Sequence, residues 1–137
     1  MHRVFLDANV LFSAAYRDTS GLLRLWRLAD CELMSSHYAV EEARRNLETE
    51  EQRSRLEGLV AEIRIVEDIV GGNSMRSMAG LPDKDRPILA TAMGHGAEIL
   101  LSGDIRHFGH LYGQTIGGVC ILRPSQYLQQ REYNNQR

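Results

Sequence analysis

Four acidic residues stand where an α/β chain places its chemistry. Asp7 ends the apolar run Val4-Phe5-Leu6, and Asp104 follows Ile99-Leu100-Leu101 after Ser102 and Gly103. Short apolar runs rich in β-branched, aromatic and aliphatic residues read as buried strands, so each carries an acid at its carboxyl end. Asp85 opens the helical pattern that leads into the second of these strands, and Glu42 lies one turn into the helix that leaves an intervening strand. In a right-handed β-α-β arrangement, helix starts and strand carboxyl ends share one edge of the sheet, where open α/β folds bind their ligands. Singly the acids have plain structural readings: Asp83 and Asp85 are good helix caps, Glu41 and Glu42 suit an early helical turn, and Asp after Gly suits a turn. Together they repel by roughly 3 kcal/mol per pair at about 5 Å and an effective dielectric near 20, so a cluster of four requires protonation or a cation. An all-oxygen set with no cysteine and no obligatory histidine suits Mg²⁺ or Mn²⁺ rather than zinc. Such a site activates water and stabilises charge developing on a phosphate.

The elements that must position these acids follow from the hydrophobic pattern. Residues 8–17 read as a first helix with Asn9 near its start. Ser20 caps a second helix over Gly21–Ala29, striped by Leu22, Leu25, Trp26 and Leu28. Cys31–Met34 is a second strand. Ser35 or Ser36 then caps a helix from about His37 that buries Tyr38, Val40, Ala43 and Leu47 and leaves Arg44, Arg45 and Glu48 wet. The mixed-charge stretch 48–57 reads as a solvated helix face or turn, Leu56, Leu59, Val60 and Ile63 continue at helical spacing, and Ile65, Val66 and Ile69 suggest a third strand. Residues 70–80, with Gly71, Gly72, Asn73 and Gly80, are the most loop-like stretch, where motion is expected. Pro87 sits in the first turn of a helix bearing Ile88, Leu89, Ala92 and Met93 and ending at Gly94 or Gly96, followed by the strand Ile99–Leu101. A short helix through Phe108–Tyr112, a strand near Val119–Leu122 and a terminal helix from about Ser125 to Gln130 complete the chain, with a frayed tail from Asn134 to Arg137. Strands alternating with helices predict an α/β fold, a three-layer α/β/α sandwich with a central, mainly parallel sheet. One domain is expected over residues 1–137, with its core at about 3–128.

Composition sets outer limits. With 43% hydrophobic and 25% charged residues the chain matches an ordinary globular domain. No apolar stretch approaches the roughly 18 residues of a spanning helix, and Asp7 interrupts the one N-terminal candidate for a signal-peptide core, so no membrane role and a cytoplasmic location are expected. Cys31 and Cys120 match no metal spacing and read as reduced, buried small hydrophobes. A net charge of −2 gives no global attraction to nucleic acid. Of the 16 basic residues only Lys84 is a lysine; the arginine fork suits phosphate, although lineage bias explains such a skew equally well.

The stretches that carry the acids resemble a known family. Leu6-Asp7-Ala8-Asn9-Val10-Leu11, Glu42-Ala43-Arg44-Arg45-Asn46-Leu47, Asp83-Lys84-Asp85-Arg86-Pro87-Ile88-Leu89-Ala90-Thr91-Ala92 and Ser102-Gly103-Asp104-Ile105-Arg106-His107-Phe108, in this order and spacing, are similar to the motifs of PIN-domain ribonucleases, the fold of the VapC toxins of bacterial and archaeal toxin–antitoxin pairs. The resemblance runs from about Val4 to Leu128. It implies a Mg²⁺- or Mn²⁺-dependent endoribonuclease in which Asp7, Glu42, Asp85 and Asp104 are the catalytic, metal-binding acids and Asn9 and Ser102 their polar support. It further implies an RNA substrate, an antitoxin partner whose extended tail crosses the acidic site, and a homodimer. The sequence departs from the pattern in one place: Arg106 and His107 stand where many members carry a further acid, which leaves a second metal site open. Arg44, Arg45, Arg76, Arg86 and Arg106, with His107, lie near the predicted edge as candidates for RNA contact; solvated surface charge, and for His107 a structural hydrogen bond, are the alternatives.

Other chemistries fit less well. A strand-end aspartyl phosphatase wants a second Asp where this chain has Asn9, and a response-regulator receiver wants a lysine at a late strand end, whereas Lys84 precedes a helix. Gly71-Gly72-Asn73 lacks the following Lys-Ser/Thr of a phosphate loop, and no nucleophile elbow is present. Two readings remain beside a toxin ribonuclease: a catalytically silent PIN-type module that binds RNA or protein, and a housekeeping RNA-processing nuclease. Retention of all four acids favours catalysis over the silent module.

Overall fold

A computed structural model describes residues 1–69 and 86–135, with side chains given to residue 133. Asp85, together with Asp83, Lys84, Arg76 and the loop-like stretch 70–80, lies outside the described residues. The elements run β1 (His2–Leu6), α1 (Ala8–Tyr16), a 3₁₀ helix (Gly21–Arg27), β2 (Cys31–Ser36), α2 (His37–Asn46), α3 (Glu50–Val60) and β3 (Arg64–Val66). After the undescribed stretch come α4 (Arg86–Gly94), β4 (Ile99–Leu101), α5 (Ile105–Phe108), a 3₁₀ turn (Gly109–Leu111), β5 (Thr115–Ile116), β6 (Val119–Leu122) and α6 (Pro124–Asn135). The strands form one sheet in the order β3-β2-β1-β4-β6-β5, parallel throughout except for the β5–β6 pair. This is the α/β/α sandwich with a mainly parallel sheet that the alternation predicts.

Burial shows why the central strands read as continuous apolar runs. Successive strand residues point to opposite faces, yet Val4, Phe5 and Leu6 are all fully buried, as are Leu100 and Leu101, so both faces of the sheet are covered. The strand order reverses direction at β1: β2 and β3 lie on one side of it and β4 on the other. At such a switch point the connections leaving adjacent strands diverge and open a crevice at their carboxyl ends. Asp7 follows β1 there.

The structure departs from the sequence expectations in several places. The segment after Ser20 is a 3₁₀ helix, not an α-helix; Ser20 caps it by accepting from the Leu22 N–H at 3.3 Å, and the indole of Trp26 donates to the Leu59 carbonyl at 3.0 Å. Tyr38, expected in the core, is 43% exposed; Ala39 takes the inward position beside Val40, Ala43 and Leu47. Strand β2 runs two residues past Met34, and α6 continues to Asn135 beyond the expected stop at Gln130. Strand β5 was not foreseen, because two residues carry no periodicity. It exists through the Gly117-Gly118 turn, where both residues have positive φ (58° and 86°), as a tight two-residue hairpin demands. A Cβ at Gly117 would also collide with the Met93 methyl. Cys31 and Cys120 are free thiols and half-buried rather than buried. Among the described residues no helix is long and apolar enough to cross a membrane.

The mixed-charge stretch resolves into α3 with a built start. Thr49 accepts from the Gln52 N–H while the Gln52 side chain accepts from the Glu48 and Thr49 N–H groups at 2.8 and 3.1 Å and donates to the Tyr16 carbonyl at 3.4 Å, a capping box that also ties α3 to the end of α1. Gln52 is buried, so its truncation strands these groups. Gln52→Ala is expected to destabilise the protein by about 1–2 kcal/mol, read as a lowered midpoint in urea unfolding without a change in slope.

Candidate active site

Sheet register sets the site's first pair. Leu6 of β1 lies opposite Leu101 of β4, so the next residues along, Asp7 and Ser102, fall side by side. The ladder continues to them: the Asp7 N–H donates to the Leu101 carbonyl at 3.1 Å, and the Ser102 N–H to the Leu122 carbonyl of β6 at 3.2 Å. On the other flank the Ser35 hydroxyl donates to the Leu6 carbonyl at 2.7 Å, which pins β2 to the end of β1. Ser36 then caps α2 by accepting from the Ala39 N–H at 3.1 Å, starting the helix that carries Glu42.

Asp7 is buried, only 7% exposed, and both of its oxygens are engaged. Oδ1 accepts from the Ala8 N–H at 2.8 Å, which makes Asp7 the N-cap of α1, and Oδ2 accepts from the Ser102 hydroxyl at 2.9 Å. The fully buried Ser102 Oγ is a hub, accepting in turn from the Asp104 N–H at 3.1 Å and from the Asn9 amide at 3.4 Å. Asn9 closes the loop by accepting from the Gly103 N–H at 2.9 Å. The three residues singled out around Asp7 therefore form one network that couples the end of β1 to the Ser102–Asp104 turn. Tyr112 adds a brace: its phenol donates to the Ser102 carbonyl at 2.8 Å. Burial pushes that phenol's pKa up, with Asp104 and Asp7 acting in the same direction against Arg123, so it remains a donor.

These groups border a cavity of about 420 Å³ lined by Asp7, Ala8, Asn9, Phe12, Tyr38, Glu42, Asn46, Ile88 and Asp104. Asp7, Glu42 and Asp104 thus face one space, as the edge argument requires. Among the described residues, however, no three acid, imidazole or thiol side chains stand close enough to hold one ion between them. The described acids ring the cavity rather than meeting at a point, as like charges do. The lining nonetheless suits a hard divalent cation, because its side-chain donors are carboxylate, amide and phenol oxygens and it contains no cysteine or histidine.

The basic candidates divide. Arg44 is engaged by Glu57, with Nε and Nη2 donating to the same oxygen at 2.9 and 2.6 Å, and by Glu41; these partners raise its pKa. Arg45 and Arg106 are exposed, and Arg86 is half-buried at the start of α4. His107 turns back on Asp104: Nδ1 lies 2.8 Å from Oδ2 while its N–H donates to Oδ1 at 3.3 Å, the cap of the short helix α5. The ring thus lies against Asp104, and the hydrogen bond to that carboxylate comes from the His107 backbone N–H. Sequence reading missed Phe12, Tyr38, Asn46 and Ile88 as lining residues. The usable signal for two of them was spacing, since Tyr38 and Asn46 lie four residues either side of Glu42 and share its helix face.

Comparison with known proteins points the same way. A chain of the crystal structure of VapBC2 from Rickettsia felis bound to a DNA fragment from their promoter shares this fold, with a TM-score of 0.60 over 88% of the present chain and 98% of that one, at 15% sequence identity. No curated protein sequence matches significantly. The model of the PIN domain matches residues 3–106, a span that contains Asp7, Glu42, Asp85 and Asp104, and the chain belongs to the PIN domain family.

Proposed function

We propose that this protein is a metal-dependent endoribonuclease that hydrolyses RNA phosphodiester bonds, its acids being Asp7, Glu42, Asp85 and Asp104. The observation that carries the reading is the buried Asp7 carboxylate, held by the Ala8 N–H and the Ser102 hydroxyl at the switch point of the sheet and facing a cavity shared with Glu42 and Asp104. A carboxylate buried beside other acids is costly unless it is hydrogen-bonded and neutralised by a cation, which favours a metal-binding role for Asp7.

Asp7, Asp104 and Asp85 would hold a Mg²⁺ or Mn²⁺ ion, with Glu42 either joining them or orienting the attacking water. Bound there, the ion supplies water activation and neutralises charge developing on the phosphate. The chain's own residues do the rest. Ser102 and Ala8 fix the direction of the Asp7 oxygens, and Asn9 holds the turn that presents Asp104. Glu42, half-buried on α2, lines the same cavity. Arg45 and Arg106, exposed and close in the chain to Glu42 and Asp104, would guide the RNA backbone, whereas Arg44 is committed to Glu57 and Glu41.

Water attack on phosphorus with rupture of the bond to the 3′ oxygen leaves a 5′-phosphate and a 3′-hydroxyl. Purified protein is expected to cleave RNA with Mg²⁺ or Mn²⁺, to stop on addition of EDTA, and to yield these ends by end-labelling. A 2′,3′-cyclic phosphate among the products, or activity indifferent to EDTA, would refute the mechanism. The family and the fold shared with a VapBC2 chain support a toxin of a type II toxin–antitoxin pair, with an antitoxin protein and a second copy of this chain as partners.

A further inference from the structure

We infer that Tyr38 is the platform on which this site stacks a base of its substrate. The inference builds on the nuclease reading above. Tyr38 is 43% exposed on a helix whose neighbouring Ala39, Val40 and Ala43 are buried, so packing of the core does not account for the ring. Its position does. Tyr38, Glu42 and Asn46 recur every four residues, form one stripe of α2, and all three line the cavity. The backbone positions of Tyr38 and Glu42 are therefore about one helical turn, roughly 6 Å of axial rise, apart. That separation is within the reach of one nucleotide between its base and its phosphate.

The cavity is two-sided in character. Carboxylates and amides occupy part of its lining, while Tyr38, Phe12 and Ile88 supply apolar surface. Phe12 is itself anchored against the Tyr16 ring, 5.3 Å between centroids, which leaves Tyr38 as the exposed aromatic of the set. A volume of about 420 Å³ lies in the ordinary range for small-ligand sites, enough to admit a base beside the acids. Every base has a π-face, so stacking of this kind tolerates sequence but needs a base free of its duplex partner. The start of α2 is independent of the ring, because the Tyr38 N–H donates to Asp68 Oδ2 at 3.1 Å and Ser36 caps the helix.

The test measures binding of a fluorescein-labelled single-stranded oligoribonucleotide by anisotropy in an Asp104→Asn background, and KM and kcat for its cleavage in the otherwise native protein. Tyr38→Ala is expected to weaken binding and raise KM by about 5- to 100-fold with a smaller change in kcat, and Tyr38→Phe to restore both. An abasic nucleotide placed in turn along the oligonucleotide should, at one position, cost the native ring as much affinity as Tyr38→Ala and cost Tyr38→Ala nothing further. The same sequence annealed to its complement should bind without regard to position 38. Equal affinity of native and Tyr38→Ala protein for the single strand, with thermal unfolding unchanged, overturns the inference while leaving the nuclease reading intact. Binding that depends on Tyr38 in a protein that cleaves nothing with Mg²⁺ or Mn²⁺ does the reverse.

Discussion

Asp7→Asn is expected to lower kcat for RNA cleavage by about 1,000-fold while the protein stays folded. The two halves of this result have separate causes. Asparagine keeps an oxygen in the Oδ1 position, so the acceptor for the Ala8 N–H that starts α1 survives. The negative charge does not survive, and with it goes the most firmly held ligand of the proposed ion; several kcal/mol of transition-state stabilisation corresponds to about three orders of magnitude in rate. Stability changes little because two effects oppose. The Ser102 hydroxyl loses its carboxylate acceptor, while a buried charge that repels Glu42 and Asp104 is removed. Asp7→Ala should lose the same activity and, through loss of the cap, about 1 kcal/mol of stability as well. Steady-state kinetics in Mg²⁺ beside thermal unfolding of both variants checks this. Full activity of Asp7→Asn would remove Asp7 from the catalytic set.

Ser102→Ala is expected to cost about 10- to 100-fold in activity and about 1–3 kcal/mol in stability. One buried oxygen here serves three partners: it donates to Asp7 and accepts from the Asp104 N–H and the Asn9 amide. Truncation leaves those groups without their partner in a space closed to water. It also frees Asp7 Oδ2 to turn, which is the kind of loss that lowers metal affinity when a supporting residue is deleted. Ser102 is thus a positioning residue, and its signature is a shifted metal requirement. Titration of activity against Mg²⁺ should show a raised half-saturating concentration and partial recovery at excess ion. A variant that loses stability but titrates like the native protein would reduce Ser102 to a structural role.

Much of this was legible in the chain because the determinants are local. Val4-Phe5-Leu6 and Ile99-Leu100-Leu101 announce strands buried on both faces, and Asp7 and Asp104 announce their ends. Ser36 before His37 and Pro87 in the first turn of α4 mark helix starts by chemistry that acts within a few residues. The expectations that failed concern choices local sequence does not make. Nothing in residues 21–29 distinguishes a 3₁₀ from an α-helix; docking of Trp26 onto the Leu59 carbonyl accompanies the tighter form. Tyr38 and Ala39 both fit an amphipathic pattern, and the packing of α2 decides which one faces inward.

By itself the sequence determined the strand–helix alternation, the acids that close β1 and precede α5, and Asn9 and Ser102 as polar residues beside them. Those are properties of residue type and of spacing along the chain. Only the tertiary structure decided that Ser102 binds Asp7, since this depends on the β1–β4 register that sets Leu6 opposite Leu101, and the two bonded residues are 95 positions apart in the chain. It likewise decided that Arg44 is committed to Glu57 and that His107 turns onto Asp104, because such contacts follow distance in space rather than along the chain. And it decided that Tyr38 stands in the mouth of an acidic cavity, where the same ring that reads as core from its type and spacing is left facing water.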